Sequence, residues 1–209
     1  TLTAFELTQC WNPHPVIAVA GSLPFEGRPR LVMGIACRAH RGEAVHKALL
    51  EWVQALTFAA YLVGNRGETL PRTPTALRRF DEHAAFYTLR PELWAETALH
   101  AHAVPGGLRI DAGDVHARDT GATDAAAQLQ TLNASLAHAG VTLFYRELTT
   151  GDVAAAGLRV MRVLSPQLTG LHADERAPFL GGRCADVEWR YPGAVSHGAW
   201  PNPLPHPLG

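Results

Sequence analysis

The feature that most constrains the fold is a long helical segment, predicted from about Glu43 to Val63. It is rich in Ala and Leu, and Gly64-Asn65 is expected to end it. Polar residues recur along it at steps of three and four, which places them on one helix face: Glu43, Lys47, Glu51 and Gln54. A stripe of this kind is typical of a solvated surface with weak i,i+4 ion pairs, so by itself it does not identify a function.

Apolar and branched segments elsewhere predict strands. Turn-rich sequence from Gly21 to Pro29 separates the first two, and a second helix is expected from Asp124 to Ala139. The predicted strands are Val16–Ala20, Arg30–Cys37, Val141–Leu148 and Leu158–Leu164, and weaker helical patterns cover 77–86 and 91–103. Because strands and helices do not alternate strictly, the sequence favours an α+β fold, with a mixed or antiparallel sheet flanked by helices. We expect one domain over residues 1–200 and a proline-rich tail over 201–209.

The composition is that of an ordinary globular domain, with 47% hydrophobic residues in 209. A net charge of -1 with 18 scattered basic residues gives no reason to expect nucleic acid or an anionic membrane as partner. No apolar run approaches the roughly 20 residues that span a bilayer, and no signal-like segment begins the chain, so a cytoplasmic protein is expected. The 3 cysteines and 11 histidines lack the spacing of a disulfide scaffold or a zinc site.

The sequence contains neither a Walker loop nor a Gly-x-Gly-x2-Gly loop. A nucleotide site would therefore use side chains, with carboxylate or amide oxygens on magnesium and arginines on phosphate. Two arginines are candidates. Strand alternation places Arg162 on one face with Val160 and Leu164, where a buried guanidinium needs an anionic partner, although an edge position or a structural ion pair would also explain it. Arg66 follows the long helix in a Gly-rich stretch and is either a ligand or simply solvated.

Prolines occupy every second position near the C-terminus, including Pro203, Pro205 and Pro207. Each proline fixes its own φ angle, so this segment is expected to be extended and stiff. It is either a disordered tail or a rigid arm that inserts into a cleft with little loss of chain entropy.

Several of these segments, in this order, resemble the C-terminal half of the YcaO-domain cyclodehydratases of thiazole/oxazole-modified peptide biosynthesis. The segments that carry the resemblance are the stretch from Gly34 to Gln54 with its Glu-x2-Gln, Asp81-Glu-His83 with Tyr87, Gly157-Leu-Arg-Val-Met-Arg162-Val-Leu-Ser-Pro166, and Pro203-Leu-Pro-His-Pro207. The resemblance implies that Glu51 and Gln54 coordinate Mg2+ and ATP, and that Arg66 and Arg162 contact phosphates. It implies that Pro203, Pro205 and Pro207 shape the active site.

The activity implied by the resemblance is ATP-dependent conversion of Cys, Ser or Thr of a ribosomally made precursor peptide to azolines. The family's first nucleotide motif, Ser-x3-Glu-x2-Glu-Arg, is not found in this chain. We therefore expect a second polypeptide that supplies the N-terminal half, a leader-peptide-binding protein, or both. The alternatives are a YcaO enzyme that forms thioamides or amidines, and a non-catalytic module that docks a partner or leader peptide.

Overall fold

The computed structural model describes residues 2–25, 27–107, 124–180 and 202–208. Its larger sheet is antiparallel and three-stranded, in the order β1-β2-β3. The strands are β1 (Leu2–Glu6), β2 (Val16–Phe25) and β3 (Arg28–Cys37). Side chains of β2 alternate between the two faces of this sheet, so each face has its own apolar core.

One face of the sheet packs against the long helix α1 (Arg41–Arg66). Buried side chains of the helix, including Trp52 and Leu56, meet Val19 and Val32 of the sheet in one cluster. The two elements touch most closely at Gly34, where an added Cβ would lie 2.2 Å from the carbonyl oxygen of Ala48. Glycine at this position therefore sets how close α1 lies to β3.

The opposite face of the sheet is covered by shorter elements. Phe5 and Met33 pack there with Trp94 and Leu99, and Leu208 of the C-terminal segment joins the same cluster. These elements are 3-10 turns at Pro91–Glu96 and Ala98–His102, together with helix α2 (Phe80–Leu89), and a further 3-10 turn at Pro74–Ala76 precedes α2. Helix α2 also packs against the C-terminal half of α1, where Ala84 and Ala85 meet Leu62.

A second, two-stranded antiparallel sheet follows helix α3 (Ala125–His138). It consists of β4 (Phe144–Glu147) and β5 (Met161–Leu164), with the short helix α4 (Gly151–Ala155) in the connection. Every residue of both strands is exposed. The pair therefore has no core of its own among the described residues.

The expectation of an α+β fold with antiparallel sheets and flanking helices is confirmed. The turn-rich connection predicted over 21–29 is wrong, because β2 and β3 continue to Phe25 and Arg28 and pair throughout. Pro24 is tolerated because the described part of β1 begins opposite Gly21, so position 24 has no strand neighbour on that side among the described residues. The predicted helix stop at Gly64-Asn65 is also wrong, since α1 continues to Arg66 and the Asn65 side chain donates to the Tyr61 carbonyl at 2.8 Å.

Residues 108–123 and Pro201 lie outside the described part of the chain. Within the described ranges, none of the helices combines the length and apolar character that crossing a bilayer requires.

Candidate active site

Glu51 and Gln54 of α1 line a cavity of about 510 Å3. They lie one helical turn apart on the face of α1 that is not packed on the sheet, which is the outcome predicted from their spacing. Residues 32–35 of the edge strand β3 form the adjoining wall. The Glu51–Gln54 end of the polar stripe therefore lies at the rim of a concave site.

The Glu51 carboxylate is half-exposed and forms an i,i+4 ion pair with Lys47. Gln54 is exposed to solvent. Oxygen atoms of both side chains are hard donors of the kind that Mg2+ prefers, and their exposure allows further ligands from water or phosphate. Within the described residues, no group of three or more His, Cys, Asp or Glu side chains could hold a metal ion. A magnesium site at Glu51 and Gln54 therefore needs oxygen ligands beyond these two side chains.

The proline segment closes the other side of this cavity. Residues 202–208 form a docked, non-helical arm, in which Pro205 is buried and Pro207 and Leu208 line the Glu51 cavity. The Tyr87 hydroxyl donates to the Pro205 carbonyl at 2.7 Å. The sequence allowed either a disordered tail or a rigid arm, and in the structure residues 202–208 form a docked arm.

A second cavity, about 650 Å3 and largely apolar, lies beside the same arm. Pro203 and Pro205 line it, and Pro207 lines both cavities. Its other walls come from apolar residues such as Leu99 and Phe179. Glu175 and Asn202 also line it, so both cavities contain carboxylate and amide oxygens, and the second is the more apolar of the two.

Three histidines surround Glu175 next to the arm. The His83 Nε2 atom lies 3.0 Å from Glu175 Oε1, and the His172 Nε2 atom lies 3.3 Å from Glu175 Oε2. The His206 ring stacks on the His83 ring with centroids 4.2 Å apart. Sequence reasoning attached no role to His172, Glu175 or His206, because contacts between positions about a hundred residues apart leave no local pattern.

Burial, together with the nearby His206 and His172 rings, lowers the pKa of His83 from 6.5 to about 4. Burial also lowers the pKa of His206, although its hydrogen bond to the His172 carbonyl opposes this effect. The pKa of Tyr87 is raised by burial and by the negative charge of Glu175. At neutral pH these three side chains are therefore uncharged.

Arg66 is held by α2. Its guanidinium lies 2.8 Å from Asp81 Oδ2 and 4.0 Å from Glu82 Oε1. Because each helical residue advances about 1.5 Å, Arg66 starts roughly 22 Å along α1 from Glu51. It is not among the described residues that line either cavity.

Arg162 lies on β5, opposite Arg146 of β4. The expectation of a buried guanidinium is wrong: both strands are exposed, so Arg162 has the edge position that was the alternative. It too is absent from the described residues that line either cavity. Two like charges directly opposite are unfavourable in a sheet, and an anion or a partner surface between them would relieve this. Arg146 was not considered from the sequence, and only the register of β4 against β5 shows that it lies opposite Arg162.

The structure thus brings Glu51, Gln54 and the proline arm to one place, and leaves Arg66 and Arg162 outside it. Residues 181–201, which include Arg183, Cys184, Ser196 and His197, lie outside the described part of the chain.

Comparison with known proteins gives two matches of interest. A family model described as YcaO cyclodehydratase, ATP- and Mg2+-binding, matches residues 2–169. Among solved structures, the chain is similar to a heterocyclase in complex with substrate and cofactor, with a TM-score of 0.61 and 19% identity. The alignment covers 99% of this chain and 25% of that chain, so this chain spans about a quarter of the heterocyclase's length. At this identity the likeness shows the fold alone, and no curated protein matches.

Proposed function

Because the chain belongs to the YcaO family, as its match over residues 2–169 shows, we propose that it is an ATP-dependent peptide cyclodehydratase or one piece of such an enzyme. The substrate is a ribosomally made precursor peptide, and the products are thiazolines or oxazolines at its Cys, Ser or Thr residues. The observation that carries this proposal is that Glu51, Gln54 and Pro207 line one cavity.

In the proposed reaction, the thiol or hydroxyl of the peptide attacks the carbon of the preceding amide and loses its proton. The resulting oxyanion takes the γ-phosphoryl group of ATP, and ADP leaves. The amide nitrogen then loses its proton as phosphate departs, which leaves the carbon–nitrogen double bond of the azoline. The phosphorylation is needed because an amide oxygen is a poor leaving group.

The residues of this chain supply position and charge. Glu51 and Gln54 present oxygens to Mg2+, and Pro203, Pro205 and Pro207 form a rigid wall that helps to place the peptide against the nucleotide. Mg2+, when bound, would neutralise the charge that develops on the transferred phosphoryl group. In this proposal Arg66 and Arg162 contact phosphates only after a rearrangement, because neither is among the described residues that line the cavity and Arg66 is paired with Asp81.

A second polypeptide completes the proposed site. Mg2+ prefers six oxygen ligands, and the described residues offer two side chains at the cavity, so water, the ATP phosphates and side chains of the second polypeptide would supply the others. The β4–β5 pair supports such a partner, because it exposes large apolar side chains that a covering surface would bury: Phe144, Tyr145, Val163 and Leu164. The other polypeptide is proposed to be an N-terminal YcaO half, with or without a leader-peptide-binding protein, acting in the cytoplasm.

The proposal is tested by substitution at Glu51 in the assembled enzyme. Glu51→Gln should lower ring formation at least about a hundredfold, since it removes a charge placed to stabilise phosphoryl transfer. The readout is the mass loss of one water per ring, with ADP release measured in parallel.

Glu43→Gln is the matched control for this substitution. Glu43 belongs to the same stripe on α1 but is not among the described residues that line the cavity, so its substitution should leave ring formation unchanged. If Glu51→Gln and Glu43→Gln changed ring formation equally, the stripe would be only a solvated face of the helix. Gln54→Ala, compared with Gln130→Ala on α3, gives the same comparison for the amide.

The exposed β4–β5 pair also favours a second candidate, an interaction module without turnover. Calorimetric titration with Mg-ATP, for this chain alone and with its partner, separates the two. Binding to the assembled protein supports the enzyme, and its absence from both preparations supports the module.

A further inference from the structure

The C-terminal arm is held by two side chains of α2 that stand outside the Glu51 cavity. Tyr87 donates a hydrogen bond to the Pro205 carbonyl at 2.7 Å, and the His83 ring stacks on the His206 ring with an interplanar angle of 6°. His83 and Tyr87 are four residues apart, so they lie on one face of α2 and point to the same side. Both are buried, and neither is among the described residues that line the cavity.

The hydrogen bonds of His206 fit its neutral form. Its Nε2 atom lies 2.8 Å from the His172 carbonyl, which can only accept, so Nε2 carries the proton. The Leu208 amide donates to Nδ1 at 3.3 Å, which requires Nδ1 to be unprotonated. Protonation of Nδ1 would therefore break the bond to Leu208, a residue that lines the Glu51 cavity.

We propose that His83 and Tyr87 are positioning residues that hold residues 205–208 as a wall of the Glu51–Gln54 cavity, and that protonation of His206 releases this wall. The two residues act through the arm and do not touch the reacting groups. The consequence for ring formation rests on the proposed function, whereas the holding of the arm does not.

The groups that face His206 decide the sign of its pH response. His83 comes from α2, where Asp81 acts on His83, and His172 and Glu175 come from the segment between β5 and the arm. Arg66 of α1 is paired with Asp81. Burial has the largest effect on the pKa of His206 and lowers it, as does the His172 ring, whereas the hydrogen bond to the His172 carbonyl and the charge of Glu175 raise it; on balance the pKa is lowered.

Because the released arm has an ordinary histidine pKa near 6.5, acid favours release. The docked form is neutral below that pH, so the released fraction should rise up to about tenfold per pH unit as the pH falls below about 6.5. The rise ends when the docked form is protonated as well.

Hydrogen exchange at the Leu208 amide, followed by NMR on the full chain, measures the released fraction even when it is small. Tyr87→Phe removes the bond to Pro205 and should speed this exchange about five- to tenfold, the equivalent of one net hydrogen bond. Tyr61→Phe is the matched control, since Tyr61 is an exposed tyrosine on α1. The amide of Ala18, buried in β2, reports global opening and should not change.

Unchanged Leu208 exchange in Tyr87→Phe would overturn the proposal, and so would faster exchange at Leu208 and Ala18 alike. His83→Ala should behave as Tyr87→Phe does, with His138→Ala on α3 as its control. After correction for the intrinsic exchange rate, the wild-type chain should show the acid-dependent rise and His206→Asn should lose it. A rise that persists in His206→Asn contradicts the role of His206.

The assembled enzyme gives the functional readout. Tyr87→Phe should lower kcat for ring formation at saturating Mg-ATP, while the urea midpoint of unfolding stays near that of Tyr61→Phe. If the wild-type assembly forms no rings, the proposed function fails, and the Leu208 exchange still decides whether His83 and Tyr87 hold the arm. Ring formation in the wild type with no kcat change in Tyr87→Phe would overturn the positioning role.

Discussion

Replacing Gly34 by alanine tests how the sheet positions the helix that bears Glu51 and Gln54. An added Cβ would lie 2.2 Å from the Ala48 carbonyl oxygen and 2.3 Å from the Trp52 amide nitrogen. Both are backbone atoms, so no side-chain rotation can relieve the contact. Because carbon needs at least about 3.4 Å, α1 would have to retreat from β3 by about 1 Å.

The expected loss of stability follows from that retreat. Overpacking of a core typically costs about 1–3 kcal/mol, and the same movement weakens the buried hydrogen bond from Trp52 Nε1 to the Gly21 carbonyl. We expect Gly34→Ala to lower the free energy of unfolding by about 3 kcal/mol, a large part of what a typical domain possesses. The retreat would also move Glu51, and Mg-ATP binding by the assembled protein should weaken with it.

Urea unfolding, followed by the helical circular dichroism signal, measures this loss. Gly64→Ala is the matched control, because Gly64 lies in α1 with no atom within 4 Å of an added Cβ. Alanine there should raise stability by about 0.5–1 kcal/mol, since it restricts the unfolded chain and favours the helix. A Gly34→Ala chain as stable as the wild type would refute the close contact between α1 and β3.

Two further predictions concern acid and Arg66. The free energy of unfolding should fall as the pH drops from about 6.5 toward about 4. In this range the unfolded chain binds a proton at His83, whereas the folded chain, in which the pKa of His83 is lowered to about 4, does not. Urea midpoints of His83→Phe that fall with acid as steeply as those of the wild type would contradict this. Arg66→Ala should lower the free energy of unfolding by less than about 1 kcal/mol, because its ion pair with Asp81 is partly exposed. Normal ring formation by the assembled Arg66→Ala enzyme would count against a phosphate contact.

The sequence predicted the fold where a pattern is local. Periodicity predicted helix α1, and branched side chains predicted strand β3. Gly140, with φ at 69°, follows the second predicted helix, in the backbone conformation that commonly ends helices. β1 was missed, because Leu2–Glu6 is short and carries few of the residues that mark a strand. The predicted helix over 91–103 became two 3-10 segments, in which the short turns let Trp94 and Leu99 reach the sheet.

The candidate site was predictable in part. The spacing of Glu51 and Gln54 placed them on one helix face, but only the tertiary structure joins that face to Pro207. The stack of His83 on His206 spans more than a hundred positions, so no sequence window contains it. Arg162 was expected in a buried strand because alternation reveals which residues share a face, not whether anything covers that face.

The uncovered β4–β5 pair has a practical consequence for anyone who prepares this chain. Apolar side chains project from strands whose outer edges lack pairing partners among the described residues, a combination that promotes aggregation. A two-stranded sheet is also marginally stable without a covering layer. We therefore expect precipitation on concentration and a gain in solubility on co-expression with whatever polypeptide covers Phe144 and Val163.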